Sequence, residues 1–342
     1  MDTVYKIWEK AQKPNFYDWI NYPEISTSII EKELEDFYPR YNAILFSSGR
    51  SAINAILKLF NISRSNLVFC SPWSSHCVLN TISTSATPIT NLNSIDKNPL
   101  TAAIIYHQWG YLHQNLKLKT KKKLIINDFA DSLLMKNAEI LKKDLDFLIL
   151  SLPKSIGTFT GGVILCRSDK DAESLRLIRD KSSRKFSHIQ TLIKYFSYKD
   201  NLANRYWNSV EPLSGRLTWY VRKQIWRKIN FFDNIINSRL RNIELLSKKI
   251  KNHVLSTGII PSGIPIDMHK LKKDKFKTIN KNFLIEEKHF NSELDYLNDE
   301  WTKTLLIPTH LDNKIIEKIK SNYSLNEIDD CIEFSPLNKF YR

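Results

Sequence analysis

The chain has 342 residues, of which 42% are hydrophobic and 25% are charged, and its formal net charge is +15. This length can hold one large domain and a smaller one, and the hydrophobic content is sufficient for a packed core. No apolar run approaches the ~20 residues that span a bilayer, and the N-terminus lacks the continuous apolar core of a secretory signal. The four cysteines form no CxxC pair, a usage typical of a reduced, cytoplasmic protein.

The excess of positive charge is compatible with nucleic acid, phosphorylated substrates or an anionic surface. The basic residues gather in four separate clusters, at residues 117–123, 222–228, 248–251 and 270–277. No RNA-recognition, zinc-finger or helix-turn-helix signature joins these clusters into one groove. We therefore expect neither a nucleic-acid partner nor a membrane partner, and we predict no metal site.

Short apolar segments dominate the first half of the chain. After an N-terminal arm, a helix is predicted over residues 25–37, because Ser and Thr precede Glu residues early in the segment. Six strands are predicted, at residues 43–46, 67–71, 101–107, 123–127, 147–150 and 163–166. Most are apolar on both faces and are separated by helical or loop segments, such as the amphipathic helix at residues 52–60. This pattern is typical of a largely parallel sheet covered by helices.

The second half of the chain is mainly helical. A helix is predicted at residues 169–181, one or two long helices within residues 215–254, and a final helix at residues 314–321 after a mixed region that begins at residue 259. We predict three parts: an arm and helix (residues 1–38), a large domain (39–235), and a long helix with a smaller C-terminal domain (236–342).

Polar residues follow several of the predicted strands. The turn Ser47-Ser48-Gly49-Arg50-Ser51 joins the first strand to a helix, a geometry that presents backbone N–H groups to a phosphate. Asp128 follows the fourth strand, and Lys154 follows the fifth. A lysine in such a basic chain is usually solvated on a loop. In parallel sheets, however, ligands bind beyond the carboxyl ends of the strands, where all these residues are predicted to lie.

Asp128 and Lys154 are 26 residues apart, after two neighbouring predicted strands. A lysine, a carboxylate, a flat side chain and a phosphate-binding helix start are the parts that pyridoxal 5'-phosphate (PLP) requires. The lysine amine bonds to the cofactor aldehyde and, once freed, can act as a general base. The carboxylate keeps the pyridine nitrogen protonated. The sequence therefore predicts a PLP site.

Five short motifs occur in a fixed order along the chain: SSGRSA, PWSSHC, HQWG, NDFADS and SLPK followed by TGG. Together they resemble the DegT family of PLP-dependent sugar aminotransferases, in the branch with an SGRSA-like phosphate turn. The resemblance covers roughly residues 40 to 312. It implies fold type I, an α/β fold with a mainly parallel seven-stranded sheet in a large domain and a smaller C-terminal α/β domain. It also implies a homodimer with its site at the subunit boundary.

The resemblance assigns roles to individual residues. Lys154 would be the Schiff-base lysine and Asp128 the pyridinium partner. The phosphate would be held by three residues of the turn and by the serine of the SLPK motif: Gly49, Arg50, Ser51 and Ser151. His76 is preferred over Trp73 as the residue that stacks on the cofactor ring. His107 and Gln108 would lie near that ring, although a satisfied strand-end histidine and a surface amide remain equally open.

Two features depart from the family pattern. Where the family usually has Gln or His near the phenolic oxygen of the cofactor, this chain has Asp131, and a second carboxylate there would repel a phenolate unless it is protonated or turned away. The family loop with Asn and Arg that reaches the neighbouring subunit is not distinct here. Asn208 and Arg216 are its candidates.

Three functions follow from these residues. The first is an aminotransferase that moves an amino group from glutamate or glutamine to a nucleotide-linked keto sugar, with a role in surface polysaccharide or secondary metabolism implied by the resemblance. The second keeps PLP but is a lyase or decarboxylase on an amino acid, and Asp131 is its motivation. The third is a non-catalytic basic binding protein on the same fold.

Overall fold

A seven-stranded sheet forms the centre of the fold in the computed structural model, which describes residues 7–9, 11, 24–71, 74–90, 100–112, 124–196, 214–266, 284–288, 301–322 and 325–332. Its strands are β1 (Asn42–Phe46), β2 (Leu67–Cys70), β3 (Thr87–Ile89), β4 (Leu100–Tyr106), β5 (Leu124–Asp128), β7 (Phe147–Ser151) and β8 (Gly162–Cys166). The spatial order is β1-β8-β7-β5-β4-β2-β3. Strand β8 is antiparallel to both neighbours, whereas the pairings from β7 to β3 are parallel.

Both faces of this sheet are buried. Every residue of β7 and β8 is buried, and successive residues of one strand enter different cores: Leu148 packs in one apolar cluster, and Phe147 and Ile149 pack in another. Side chains that alternate between two apolar layers explain why the strands are continuous apolar runs and lack the apolar/polar alternation of a half-exposed sheet.

The predicted strands of this sheet are confirmed, with ends that shift by about one residue. The short edge strand β3 was not predicted, because its three residues include Pro88, and proline is normally a signal against a strand. Seven helices precede, connect or follow these strands: α1 (Thr27–Phe37), α2 (Gly49–Leu59), α3 (His76–Ser85), α4 (Glu139–Lys142), α5 (Leu152–Ser155), α6 (Asp169–Asp180) and α7 (Lys185–Phe196). A further short strand, β6 (Ser132–Leu134), lies outside the large sheet.

Residues 215–254 form three helices where one or two were predicted: α8 (Trp219–Ile229), α9 (Phe232–Leu246) and α10 (Lys248–Thr257). The last break occurs at Ser247, whose extended backbone ends one helix and whose Oγ accepts a hydrogen bond from the backbone N–H of Ile250 at 3.0 Å. A serine N-cap of this kind starts a new helix, so α9 and α10 are separated without a proline or glycine between them.

The C-terminal part contains a three-stranded antiparallel sheet in the order β10-β12-β11. Its strands are β10 (Gly263–Ile266), β11 (Leu284–Lys288) and β12 (Trp301–Pro308), and β9 (Ile259–Pro261) pairs instead with β6. The predicted final helix is α11 (Asn313–Asn322), and a helix that was not predicted follows it, α12 (Leu325–Cys331).

The predicted boundary between the second and third parts of the chain, at residues 235/236, falls inside helix α9. The division of the chain into domains stays a prediction. Within the described residues, no helix is both long and apolar enough to cross a membrane.

Carboxylates of α1 cover the outer edge of the sheet. Glu31 accepts a hydrogen bond from the backbone N–H of Leu45 at 2.8 Å, and Glu35 accepts one from that of Ala43 at 3.1 Å. The guanidinium of Arg176 in α6 contacts both carboxylates, and Arg179 also binds Glu31. These bonds satisfy backbone groups that an edge strand would otherwise expose.

Gly162 allows β8 to pass against the turn that follows β1. A Cβ atom on Gly162 would lie 2.4 Å from the carbonyl carbon of Ser48 and 2.5 Å from the backbone N of Gly49. Contacts this short with backbone atoms cannot be relieved by a side-chain rotation, so the position requires glycine.

We expect Gly162→Ala to destabilise the protein by about 1–3 kcal/mol or more, because the added methyl group must push the backbone of the turn away from β8. Thermal or urea unfolding measures this change. Gly263→Ala is the matched control, because its Cβ would meet the nearest atom at 3.4 Å, an ordinary contact. Equal stabilities for the two variants would contradict the close approach.

Candidate active site

The carboxyl ends of the parallel strands meet at one edge of the sheet. Ser47 follows β1, Ser71 follows β2, His107 follows β4, and Asp128 and Ser151 are the last residues of β5 and β7. All five residues are buried. The sequence prediction that these polar residues lie at one edge of the sheet agrees with the arrangement in the structure.

Lys154 lies in the single helical turn α5, directly after β7, and not in an open loop. Its Nζ is 3.0 Å from Oδ1 of Asp131, and its side chain is 24% exposed. Burial alone would lower the pKa of Lys154, but the carboxylate of Asp131, with further contributions from Cys77 and Asp128, raises it above the ordinary value. Lys154 is therefore held as an ammonium that is paired with a buried acid.

Asp131 is the centre of a hydrogen-bond network. Its carboxylate accepts a hydrogen bond from the indole N–H of Trp8 at 2.8 Å and another from the hydroxyl of Tyr106. With the ammonium of Lys154, three donors converge on a side chain that is only 4% exposed. Asp131, which stands where the family usually has Gln or His, thus pairs its carboxylate with the ammonium of Lys154.

Asp128 is buried close to the same lysine. Its Oδ1 accepts a hydrogen bond from the backbone N–H of Ala130 at 2.9 Å. Burial raises its pKa to about 6, although Lys154 and that hydrogen bond act in the opposite direction, and Asp131 raises the pKa further. A buried acid with a raised pKa lacks a strong cationic partner of its own.

The turn after β1 begins helix α2. Ser48 is the N-cap, and its Oγ accepts a hydrogen bond from the backbone N–H of Ser51 at 3.1 Å. The hydroxyl of Ser51 lies 2.9 Å from that of Ser47. Arg50 is buried, with its guanidinium 5.4 Å from the ring centroid of Phe186. Gly49 is the first residue of the helix, so this helix start carries the positive end of the helix dipole, which favours an anion.

The remaining predicted residues have different environments. His107 is buried and stacks on Phe129 with ring centroids 4.1 Å apart, and its Nε2 is 3.1 Å from Oδ1 of Asn127. These contacts favour the interpretation of His107 as a satisfied strand-end histidine. Gln108 is buried and is therefore not a surface amide.

The predicted stacking residue, His76, is the first residue of α3 and is exposed. Its alternative, Trp73, lies outside the described residues, as does Asn208. Arg216 is half-buried, and its backbone N–H donates to the carbonyl of Ser183 at 3.2 Å. None of these placements tests the roles that the resemblance assigns.

Sequence reasoning missed Trp8, Tyr106 and Cys77. Trp8 is 123 residues from Asp131 in the chain, and no local pattern predicts a contact over that separation. Tyr106 was included in a predicted strand, but its hydroxyl was not recognised as a site group. Among the described residues, no group of three or more His, Cys, Asp or Glu side chains could hold a metal ion.

We expect Asp128→Asn to stabilise the cofactor-free protein at pH 7.5. A folded-state pKa near 6, above the unfolded value, means that stability falls as the pH rises from about 4 to 6, because the buried carboxyl must ionise. Asparagine avoids this cost, which is at most about 3 kcal/mol, and keeps an acceptor for Ala130. Melting temperatures should differ at pH 7.5 and converge below about pH 4, where the carboxyl is protonated in both the folded and the unfolded state. A difference that does not change with pH would contradict the raised pKa.

Comparisons with known proteins bear on the fold and the family. A family model described as "Putative PLP-dependent aminotransferase" matches residues 30–326. No curated protein is a significant match to the chain. Solved structures of sugar aminotransferase type share the fold.

A DegT/DnrJ/EryC1/StrS aminotransferase from Brucella abortus has a TM-score of 0.60 at 15% identity, with 89% of this chain and 90% of that chain covered. DesV from S. venezuelae has a TM-score of 0.60 at 14% identity, with 88% of each chain covered. PseC from Helicobacter pylori, an aminotransferase involved in the biosynthesis of pseudoaminic acid, has a TM-score of 0.59 at 14% identity and covers 95% of this chain and 99% of that chain.

These similarities confirm the predicted fold class, the α/β fold of fold-type-I PLP enzymes, and the predicted cofactor. They favour an enzyme over a non-catalytic binding protein. Because the family model extends over most of the sequence, from α1 to α12, the chain belongs to the family of PLP-dependent aminotransferases.

Proposed function

We propose that this enzyme transfers an amino group from glutamate or glutamine to a nucleotide-linked keto sugar, with Lys154 as the Schiff-base lysine and general base. The observation that carries the proposal is the convergence of Lys154, Asp131 and Asp128 at the carboxyl edge of a sheet whose family is PLP-dependent. The cofactor and the reaction type follow from the family. The residue roles, the acceptor and the donor are the proposal.

The residues at this edge fit PLP. Within the described part of the chain, the buried Ser71 Oγ and Asn127 Nδ2 have no hydrogen-bond partner, and both belong to residues at or next to the carboxyl ends of strands. Buried polar atoms of this kind normally have a partner. A polar ligand bound here would supply one, while the start of α2 suits its phosphate, and Asp128 suits a protonated ring nitrogen.

When bound, PLP supplies an electron sink for the carbon from which a proton is removed. Lys154 would hold the cofactor covalently and, once released from it, move the proton as a general base. Asp128 would keep the ring nitrogen protonated, and the pairing with that cation would lower its raised pKa. Gly49, Arg50, Ser51 and Ser151 would bind the phosphate.

Asp131 would raise the pKa of Lys154. In the structure its carboxylate pairs with the ammonium of Lys154, so it opposes the loss of the proton that the lysine must give up before it can act as a nucleophile. Tyr106 and Trp8 hold the carboxylate in place through hydrogen bonds. Asp131 thus sets the pH at which Lys154 becomes reactive.

The acceptor class is supported by fold similarity and by charge. DesI, whose structure was determined in the presence of its TDP-sugar product, has a TM-score of 0.59 with this chain. The net charge of +15 suits an acceptor that carries a diphosphate. A lyase or decarboxylase remains the second candidate. Asp131 stands where the family usually has Gln or His, and its carboxylate pairs directly with the amine of Lys154.

We further propose a homodimer in the cytoplasm. A site at the subunit boundary, as the resemblance implies, would allow Arg216 and Asn208 to serve the neighbouring subunit. All four cysteines are free thiols, which supports a reducing compartment. Light scattering on purified protein measures the assembly state, and a monomer would contradict the dimer.

The absorption spectrum tests the site. We expect purified protein to show a visible band of lysine-bound PLP that glutamate converts to the pyridoxamine form, and Lys154→Ala to lack that band. Lys223→Ala, which removes a lysine above the ring of Trp219 in α8, should keep both properties.

Each alternative result has a distinct meaning. A visible band that neither glutamate nor glutamine changes would favour the lyase. A band of equal intensity in Lys154→Ala would overturn the assignment of the lysine.

A further inference from the structure

A short N-terminal segment, residues 7–9, lies at the proposed reaction centre. The ring centroid of Trp8 is 4.5 Å from Nζ of Lys154, and its indole N–H donates to Asp131. The tryptophan therefore contacts the reacting amine on one side and the counter-ion of that amine on the other. Neither the motifs nor the family model, which begins at residue 30, includes this residue.

The two neighbours of Trp8 anchor it. Ile7 is buried in the main apolar core. Glu9 forms an ion pair with Lys228 at 3.1 Å and lies 3.7 Å from Arg239, a buried residue that also donates to the carbonyl of Ser155. Ser155 is the residue after Lys154, so the segment is fixed to the same structural unit as the lysine.

Trp8 nevertheless remains accessible. It is 39% exposed, whereas Lys154 and Asp131 beneath it are largely covered. A large aromatic side chain that is anchored on both sides and still open to solvent provides a rigid flat surface. Any carbon that exchanges a proton with Lys154 must come within about 3–3.5 Å of its Nζ. The part of the substrate that carries this carbon must then lie beside the indole.

The chemistry of the indole selects between the two proposed substrates. Its face carries partial negative charge, which is unfavourable for the carboxylates of glutamate. The same face is favourable for the C–H groups along one side of a sugar ring. We infer that Trp8 is a specificity-determining residue that packs against the ring of the keto-sugar acceptor at Lys154. The inference rests on the proposed function and deepens it.

Half-reactions measured separately test this role. We expect Trp8→Ala to lower kcat/KM for a TDP-linked keto-hexose by about tenfold or more, mainly through KM, and to leave the glutamate half-reaction little changed. Trp8→Phe keeps a flat face and loses the N–H donor to Asp131, so it should retain most of the activity toward the sugar. Trp219→Ala is the matched control, because Trp219 is also 39% exposed and also lies above a lysine, with Lys223 Nζ 4.9 Å from its ring centroid.

A structural role through Asp131 would give a different pattern. In that case Trp8→Phe and Trp8→Ala would slow both half-reactions equally, because both lose the hydrogen bond. That result, or unchanged sugar kinetics in Trp8→Ala, would overturn the inference.

Footprinting provides a readout that does not depend on turnover. Hydroxyl-radical oxidation of the holoenzyme, mapped by mass spectrometry, should be slower at Trp8 when the TDP-linked keto-hexose is added and unchanged at Trp219. Equal oxidation of Trp8 with and without the sugar, in an enzyme that aminates it, would overturn the inference.

Wild-type enzyme that reacts with glutamate but neither binds nor aminates the sugar would instead contradict the proposed acceptor. In that case protection of Trp8 by PLP alone, added to cofactor-free protein, still decides whether the residue borders the reaction centre. If PLP gave no protection, Trp8 would not lie at the site.

Discussion

The site depends on one largely covered lysine that interacts with two buried carboxylates. A charged amine in an apolar environment is costly unless a counter-ion and hydrogen bonds compensate it. Asp131 is that counter-ion, and it accepts two further hydrogen bonds, from Trp8 and Tyr106. Asp128 is then a second acid without a matching cation, which is why burial raises its pKa to about 6. With one ammonium and two carboxylates, this part of the protein carries an excess of negative charge above about pH 6.

The fold brings these groups together through one strand. Because β8 runs antiparallel between β1 and β7, the carboxyl end of β1 and that of β7 lie on either side of its first residue, Gly162. The start of α2 and the helix that carries Lys154 are thus held at a fixed separation by a strand that contributes no site side chain. Small differences in its packing would change the distance between the start of α2 and Lys154.

Much of the sheet and the core of the site could be predicted from the sequence, for physical reasons. Strands buried on both faces are short apolar runs, and polar residues that follow such runs lie at one edge of a parallel sheet. Lys154 and Asp128 were identified by this rule. The rule does not describe which donor meets which acceptor, so it predicted neither the pairing of Lys154 with Asp131 nor the stacking of His107 on Phe129.

Contacts between distant segments could not be predicted at all. Trp8 reaches Asp131 across 123 residues, and its own surroundings, a few polar and apolar residues without periodicity, give no sign of it. The break between α9 and α10 was missed because a serine cap replaces the usual glycine or proline. The short helix α5 was taken for a loop, since four residues are too few to show a helical period.

The carboxylates that cover the edge of β1 also affect how the chain folds and assembles. Glu31 and Arg179, which bind each other there, are 148 residues apart, so this buried acid acquires its cation only after residue 179 has been synthesised. The pairing is a contact between distant segments, and such contacts form slowly because loop-closure entropy opposes them. In the folded protein, Glu31 and Glu35 accept hydrogen bonds from the backbone N–H groups of β1 that a further strand would need. A strand of another chain therefore cannot extend the sheet at the β1 edge.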